Sequence, residues 1–153
     1  MKTEIAKFEG LPLFAEFNRQ ELEAFVELTD PLNYKRDSVI VRQDDNGDCM
    51  FIVIDGKVRV VHRRDGREFF LAVLERGDFF GELALVDEGP RSADVIALED
   101  CTMLRIPHPV MRALASVHPL AAFKFIQAVA RGMVHRMRDA NRRYIDTLMV
   151  KNT

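Results

Sequence analysis

The sequence predicts a mainly β fold with flanking helices: a small antiparallel roll of the jelly-roll type between an N-terminal helix and a long C-terminal helix. Three observations carry this reading. Short β-branched and aromatic runs (SVIV, CMFIVI, KVRVVH, EFFLAVL, ADVIAL and TMLRIP) crowd the stretch from Tyr34 to Pro107. Turn dipeptides separate them: Asn46-Gly47, Asp55-Gly56, Asp65-Gly66 and Gly77-Asp78. On either side the apolar spacing changes to the steps of three and four that a helix makes. Asp-Gly or Asn-Gly between apolar runs signals a tight hairpin, and regular recurrence signals a roll, sandwich or barrel.

In chain order, residues 1–33 read as a helical N-terminal segment. Asn18 is placed to cap a helix with Glu21 three residues on; Leu22, Phe25, Val26 and Leu28 follow at helical spacing, and Pro31 ends it. Residues 34–107 form the roll, with about eight short strands. Residues 108–149 are helical, with a short helix over Val110–Ser116 and Pro119 in the first turn of a longer one over Leu120–Met149. There Phe123, Ile126, Ala130, Met133, Met137, Ala140 and Tyr144 alternate in steps of three and four, a heptad stripe. The stripe is predicted to seam a homodimer, because the helix is too long for a small roll to cover. The alternative lays the stripe on the chain's own roll. No repeat, low-complexity tract or linker interrupts the chain, so 1–153 reads as a single domain.

Composition excludes several classes. The chain has 153 residues, 48% of them hydrophobic, with 22 Lys plus Arg against 24 Asp plus Glu. That is enough for one core and matches neither a disordered nor a membrane-embedded protein. The charged opening MKTEIAKFEG has no secretory core, and FFLAVL falls far short of a membrane span. Cys49 and Cys101 form no metal motif, too few for a disulfide scaffold, so a cytoplasmic location is expected. His62, His108, His118 and His135 show no metal spacing either, so no metal is expected. Residues 124–153 carry a net charge of +5 and leave −7 on the rest. A basic tail could suit nucleic acid, but a solvated helix face is the stronger expectation.

The segment that departs from strand texture is GDFFGELALVDEGPRSADV, Gly77 to Val95. Gly81 precedes the helix formers Glu82, Leu83, Ala84 and Leu85, a short helical turn inserted between strands. Glycine lets backbone approach a ligand closely, and the amides that follow can face an anion. A carboxylate at Glu82 would repel a phosphate unless something else needs an acceptor, as a sugar hydroxyl does. Arg91, behind Pro90, can bind a phosphate bidentately, and Ser92 adds a hydroxyl beside it. One fork, several amides and one carboxylate fit a ribose that carries a singly charged phosphate. Taken singly, Glu82 reads as a helix-start charge, Arg91 as a surface arginine and Ser92 as a loop hydroxyl; only the joint spacing says more.

GELALVDEGPRSA, at Gly81–Ala93, resembles the phosphate-binding cassette of cyclic-nucleotide-binding domains. That module occurs in the bacterial cyclic-AMP receptor protein, in regulatory subunits of cyclic-AMP-dependent protein kinase and in cyclic-nucleotide-gated channels. LPLFAEFNRQEL, GDCMFIVIDGKVRV and RMRDANRRYIDTL follow the family's usual order. The resemblance implies a double-stranded antiparallel β-helix with the cassette at 79–95. Glu82 would accept from the ribose 2′-hydroxyl, Arg91 would pair with the cyclic phosphate, and amides around Leu83, Ala84 and Ala93 would complete that site. Val60, Ala72 and Leu74 would wall the base, and Asn141 on the last helix would cap it. Three residues depart from the family pattern. Asp37 and Asp44 stand where glycine is common in turns, which Asp tolerates better than most residues. Asp94 stands where a hydroxyl or small residue is frequent and would repel the phosphate if it faced it.

The resulting expectation is a non-catalytic sensor of cyclic nucleotides that signals by movement of its C-terminal helix to an unidentified protein partner. Ser92 resembles the bacterial receptors and favours cyclic AMP over cyclic GMP. No Ser–His–acid or Cys–His pair suggests an enzyme. Two alternatives stay open. One is a fold-only interaction module that binds no nucleotide. The other is a DNA-binding regulator of the receptor-protein type, whose helix-turn-helix needs about 60 further residues; since the chain stops soon after Met149, a stand-alone sensor is expected.

Overall fold

Asn18 opens the first helix as its position demands. Its side chain accepts from the Glu21 N–H at 2.9 Å, while the Glu21 carboxylate accepts from the Asn18 N–H at 2.9 Å. This reciprocal box starts α1 (Arg19–Leu28), which buries Leu22, Phe25 and Val26. The structure is a computed structural model and describes residues 5–152; the remainder of the predicted N-terminal segment lies outside the described residues. Two short 3-10 turns, Ile5–Lys7 and Pro12–Phe14, precede α1.

Ten strands follow in place of about eight. They are β1 (Pro31–Tyr34), β2 (Val39–Val41), β3 (Asn46–Gly47), β4 (Cys49–Asp55) and β5 (Val58–Arg64), then β6 (Arg67–Leu74), β7 (Phe79–Phe80), β8 (Gly89–Pro90), β9 (Asp94–Ala97) and β10 (Cys101–Pro107). Pro31 does not merely end the helix but begins β1, which pairs with β10. A proline is tolerated there because the first residue of a strand can spare its N–H. The strands form antiparallel sheets of order β1-β10-β4-β7 and β2-β9-β5-β6, with a small β3-β8 pair. The expected turns survive their missing glycines, since Asp37 and Asp44 hold φ of 70° and 71°.

β4 explains why CMFIVI is apolar without alternation: it is buried on both faces. Cys49, Phe51 and Val53 face a cluster with Val58, Phe80, Val95, Ala97 and Met103 inside the roll. Met50, Ile52 and Ile54 face a second cluster with α1 and the C-terminal helices. Those helices are α2 (His108–Val117) and α3 (Pro119–Lys151), each slightly longer than the sequence predicts. Phe14 joins them to the N-terminal segment by ring contacts with Phe8, Phe17, Phe25 and Phe125. A partly buried ion pair reinforces the joint, with Lys124 Nζ 2.7 Å from Glu21 Oε1.

α3 carries two apolar stripes. Ala121, Ala122, Phe125 and Val129 are buried against the molecule. The heptad stripe is a different face: Phe123, Ile126, Ala130, Met137, Ala140 and Tyr144 are exposed and Met133 is half-buried. The chain's own roll therefore does not cover the heptad stripe. All described residues from Met137 onward are exposed.

Phe125 is fully buried where the N-terminal segment, α1 and α3 meet. Phe125→Ala is expected to lower the unfolding free energy by about 3–5 kcal/mol in urea denaturation, the cost of emptying a large aromatic site.

Candidate functional site

The turn after β7 is shaped by one backbone angle. Gly81 sits at φ 74° and leads into a 3-10 turn, Glu82–Leu85. A Cβ there would overlap Arg91 Nη1 and come 3.1 Å from the Cys49 carbonyl oxygen. Against the same guanidinium, a Cβ on Gly47 would lie 2.6 Å from Arg91 Cζ. Arg91 thus threads a slot that only two glycines leave open. Its Nη2 donates to the Cys49 carbonyl at 2.8 Å, with Cys49 Sγ at 3.4 Å. Burial pushes the Cys49 thiol above its usual range, so it is a neutral neighbour.

A cavity of about 250 Å³ opens beside this slot. Val41, Val60, Ala72, Leu74 and Val95 supply an apolar wall, and Glu82, Arg91, Ser92 and Arg136 supply the polar groups. Two guanidiniums against one carboxylate leave one positive charge. Among the described residues Arg91 has no carboxylate partner, whereas Arg136 Nη1 lies 3.2 Å from Glu82 Oε1. A few convergent polar groups over an apolar floor is the usual form of a small-molecule site.

Of the residues singled out in the sequence, Gly81, Glu82, Arg91, Ser92, Ala93, Val60, Ala72 and Leu74 meet around this one cavity. Leu83 and Ala84 do not line it. They face a neighbouring depression on the outer side of the turn. The Ala84 N–H is taken by the Gly81 carbonyl at 3.2 Å, and the Ala84 carbonyl accepts from His108 Nε2 at 2.7 Å. Asn141 is exposed and outside the lining, because α3 has left the roll by that point.

Arg136 is the charged lining residue that sequence reasoning missed, along with the apolar Val41, Phe80 and Val95. A Cβ on Gly132, one helical turn earlier, would lie 2.6 Å from the Phe79 ring. That close seat lets the Arg136 guanidinium stack over the same ring, 4.2 Å from its centroid, and donate to the Phe79 carbonyl. The signal was a lone glycine in a long helix with a basic residue four positions on. Gly47 was missed too, having been read only as a turn residue.

Asp94 turns away from the cavity. Its Oδ2 accepts from Arg63 Nε at 2.7 Å and its Oδ1 from the Gln43 N–H at 2.7 Å. Burial alone would raise its pKa, but the hydrogen bonds from Arg63 and Gln43 and the Arg63 charge outweigh it and hold the carboxyl below its usual range. Among the described residues no group of His, Cys, Asp or Glu is arranged to hold a metal, and no helix is long and apolar enough to cross a membrane.

Residues 31–118 match the family described as the cyclic nucleotide-binding domain. The chain belongs to that family. A "Cyclic AMP receptor protein" of Thermus thermophilus is 34% identical over 134 residues, 87% of this chain and 60% of that protein. A "cAMP-dependent protein kinase regulatory subunit" of Mycosarcoma maydis is 33% identical over 57% of this chain and 17% of its own length. The N-terminal domain of a transcriptional regulator from Streptomyces coelicolor superposes with a TM-score of 0.72 at 32% identity, covering 84% of this chain and 90% of that one. The chain therefore spans about three fifths of the receptor relative.

In this member of the cyclic nucleotide-binding domain family, Asp94 and Glu21 are both held below the usual carboxylate range. Such groups contribute stability that is full above their unfolded pKa, about 4, and is lost as pH falls through the lowered folded value. Urea midpoints measured from pH 6 down to pH 2 are expected to fall over that window. Asp94→Asn should start lower at pH 6 and fall less steeply.

Proposed function

We propose that this chain is a non-catalytic sensor that binds cyclic AMP in preference to cyclic GMP and signals through α3. One observation carries the reading: Arg91 reaches the cavity against two glycines with no carboxylate partner among the described residues, while Glu82 faces the same space. A cyclic phosphodiester supplies the single negative charge that the cavity's net positive charge lacks. The ribose 2′-hydroxyl supplies the donor that Glu82 can accept, which a 2′-deoxy ligand would not. The apolar wall offers the purine no side-chain donor or acceptor. Guanine has more polar edge to leave unpaired than adenine, and an unpaired buried polar group is costly.

Arg136 gives the binding event a route outward. It shares Glu82 with the incoming hydroxyl and stacks on Phe79 at the base of the cassette. A ligand that engages Glu82 changes what holds α3 to the roll, a shift between two populated arrangements. The exposed heptad stripe supports a homodimer through α3, since isolated helices are marginal in water and an apolar face needs a partner.

Calorimetry with cyclic AMP is expected to show binding by the unaltered chain and a loss of about 100-fold or more for Arg91→Ala, the size seen when a buried charge loses its partner. Unchanged affinity would overturn the assignment of Arg91. Light scattering after size exclusion tests the dimer. A dimer is expected, converted to monomer by Met137→Glu with Tyr144→Glu, and a monomeric unaltered chain at tens of micromolar would refute it.

A further inference from the structure

The charged cluster behind the cavity is fully partnered yet unused by the site itself. Asp94 accepts from Arg63 at 2.7 and 3.3 Å and from the Gln43 N–H at 2.7 Å. Gln43 answers with its side-chain amide, donating to the Arg63 carbonyl at 2.7 Å and accepting from the Arg63 N–H at 2.7 Å. The ladder between β5 and β9 ends at the Val61–Asp94 pair. The Gln43 amide thus adds one more rung to β5, made by a side chain in place of a strand.

The residues after Gln43 grip Arg91. The Asp44 N–H donates to the Arg91 carbonyl at 2.8 Å, and the Arg91 N–H donates to the Asp45 carbonyl at 2.8 Å. Asn46 and Gly47 then pair with Pro90 and Gly89, and Gly47 backs the guanidinium. Segment 43–47 is fastened by Asp94 at one end and by β8 at the other. Both the peptide and the fork of Arg91 lie between those fastenings.

We infer that Asp94 is a positioning residue for Arg91, acting through Gln43 and the segment that follows it. This rests on the reading of Arg91 as the phosphate-binding group. Asp94 does not oppose the ligand's charge, because Arg63 and the Gln43 amide occupy its oxygens on the far side. A separate bond holds the neighbouring Ser92, whose carbonyl accepts from His62 Nδ1 at 2.8 Å.

A double-mutant cycle tests the inference, with cyclic AMP affinity measured by calorimetry on the full chain. Asp94→Ala is expected to weaken binding about ten-fold, and Gln43→Ala, which keeps the N–H that Asp94 accepts and removes only the side-chain bonds to Arg63, is expected to lose less. In an Arg91→Lys background, which keeps a cation but not the fork, Asp94→Ala is expected to cost no more than about two-fold. Asp94→Asn, which can still accept from Gln43, should lose less than Asp94→Ala. An equal loss in both backgrounds would show a general structural role and overturn the inference. Unchanged or tighter binding by Asp94→Ala would overturn it as well. Unchanged binding by Arg91→Ala, by contrast, would refute the phosphate reading on which it rests.

Discussion

The slot that carries Arg91 is the constraint on which the rest of this molecule turns. A half-buried guanidinium needs acceptors and room, and here both come from backbone. The Cys49 carbonyl accepts from it at 2.8 Å, and Gly47 and Gly81 withhold the side chains that would fill its space. Cys49 begins β4, the strand buried on both faces and packed into both apolar clusters. The charge is therefore mounted on a strand held by both apolar clusters. The short β3-β8 pair and the left-handed residue after β7 serve the same slot, because each places one glycine against the fork.

A second consequence concerns how the cassette meets α3. Phe79 presents its ring to both Gly132 and the Arg136 guanidinium, and its carbonyl accepts from that guanidinium. The neighbouring residue, Phe80, stacks on Phe51 inside the roll, 5.0 Å between centroids. Two consecutive phenylalanines of a two-residue strand thus point to opposite cores, as strand alternation requires. Displacing either one moves the cassette relative to both layers. In the proposed sensor, this is why a contact at Glu82 is felt by the helix.

Much of this was legible before any coordinates. Asp65-Gly66 placed the β5–β6 hairpin and the Asn18–Glu21 spacing placed the first cap, but Asp55-Gly56 and Gly77-Asp78 turn between strands of different sheets and Asn46-Gly47 is itself β3. Of the cassette residues that the joint spacing singled out, Gly81, Glu82, Arg91 and Ala93 meet at the cavity, and Leu83 and Ala84 do not. What escaped has a common physical cause. Gly47 looks like an ordinary turn residue because its second duty depends on a side chain distant in sequence. Arg136 is one of several basic residues on a long helix, and only the seat of Gly132 on Phe79 decides that it, and not Asn141, reaches the cavity. The direction of Asp94 depended on where a strand ladder stops and on a glutamine amide that prolongs it. Local pattern determines elements; the docking of one element on another determines which side chains they share.

The two faces of α3 bring the site and the open surface onto one element. A helix of 33 residues rises about 50 Å, more than a small roll can cover. The roll-facing side runs from Ala121 through Phe125 and Val129 to Gly132 and Arg136, and there it ends. The heptad stripe lies on another face, starts alongside it at Phe123 and continues through Tyr144 in solvent. Arg136 is thus the last residue by which the helix lines the cavity, and the exposed turns begin just after it. In the proposed sensor, a change in the partner of Glu82 would act at that point of attachment. Small changes in angle there would become large displacements along the exposed turns, where a second molecule would read them.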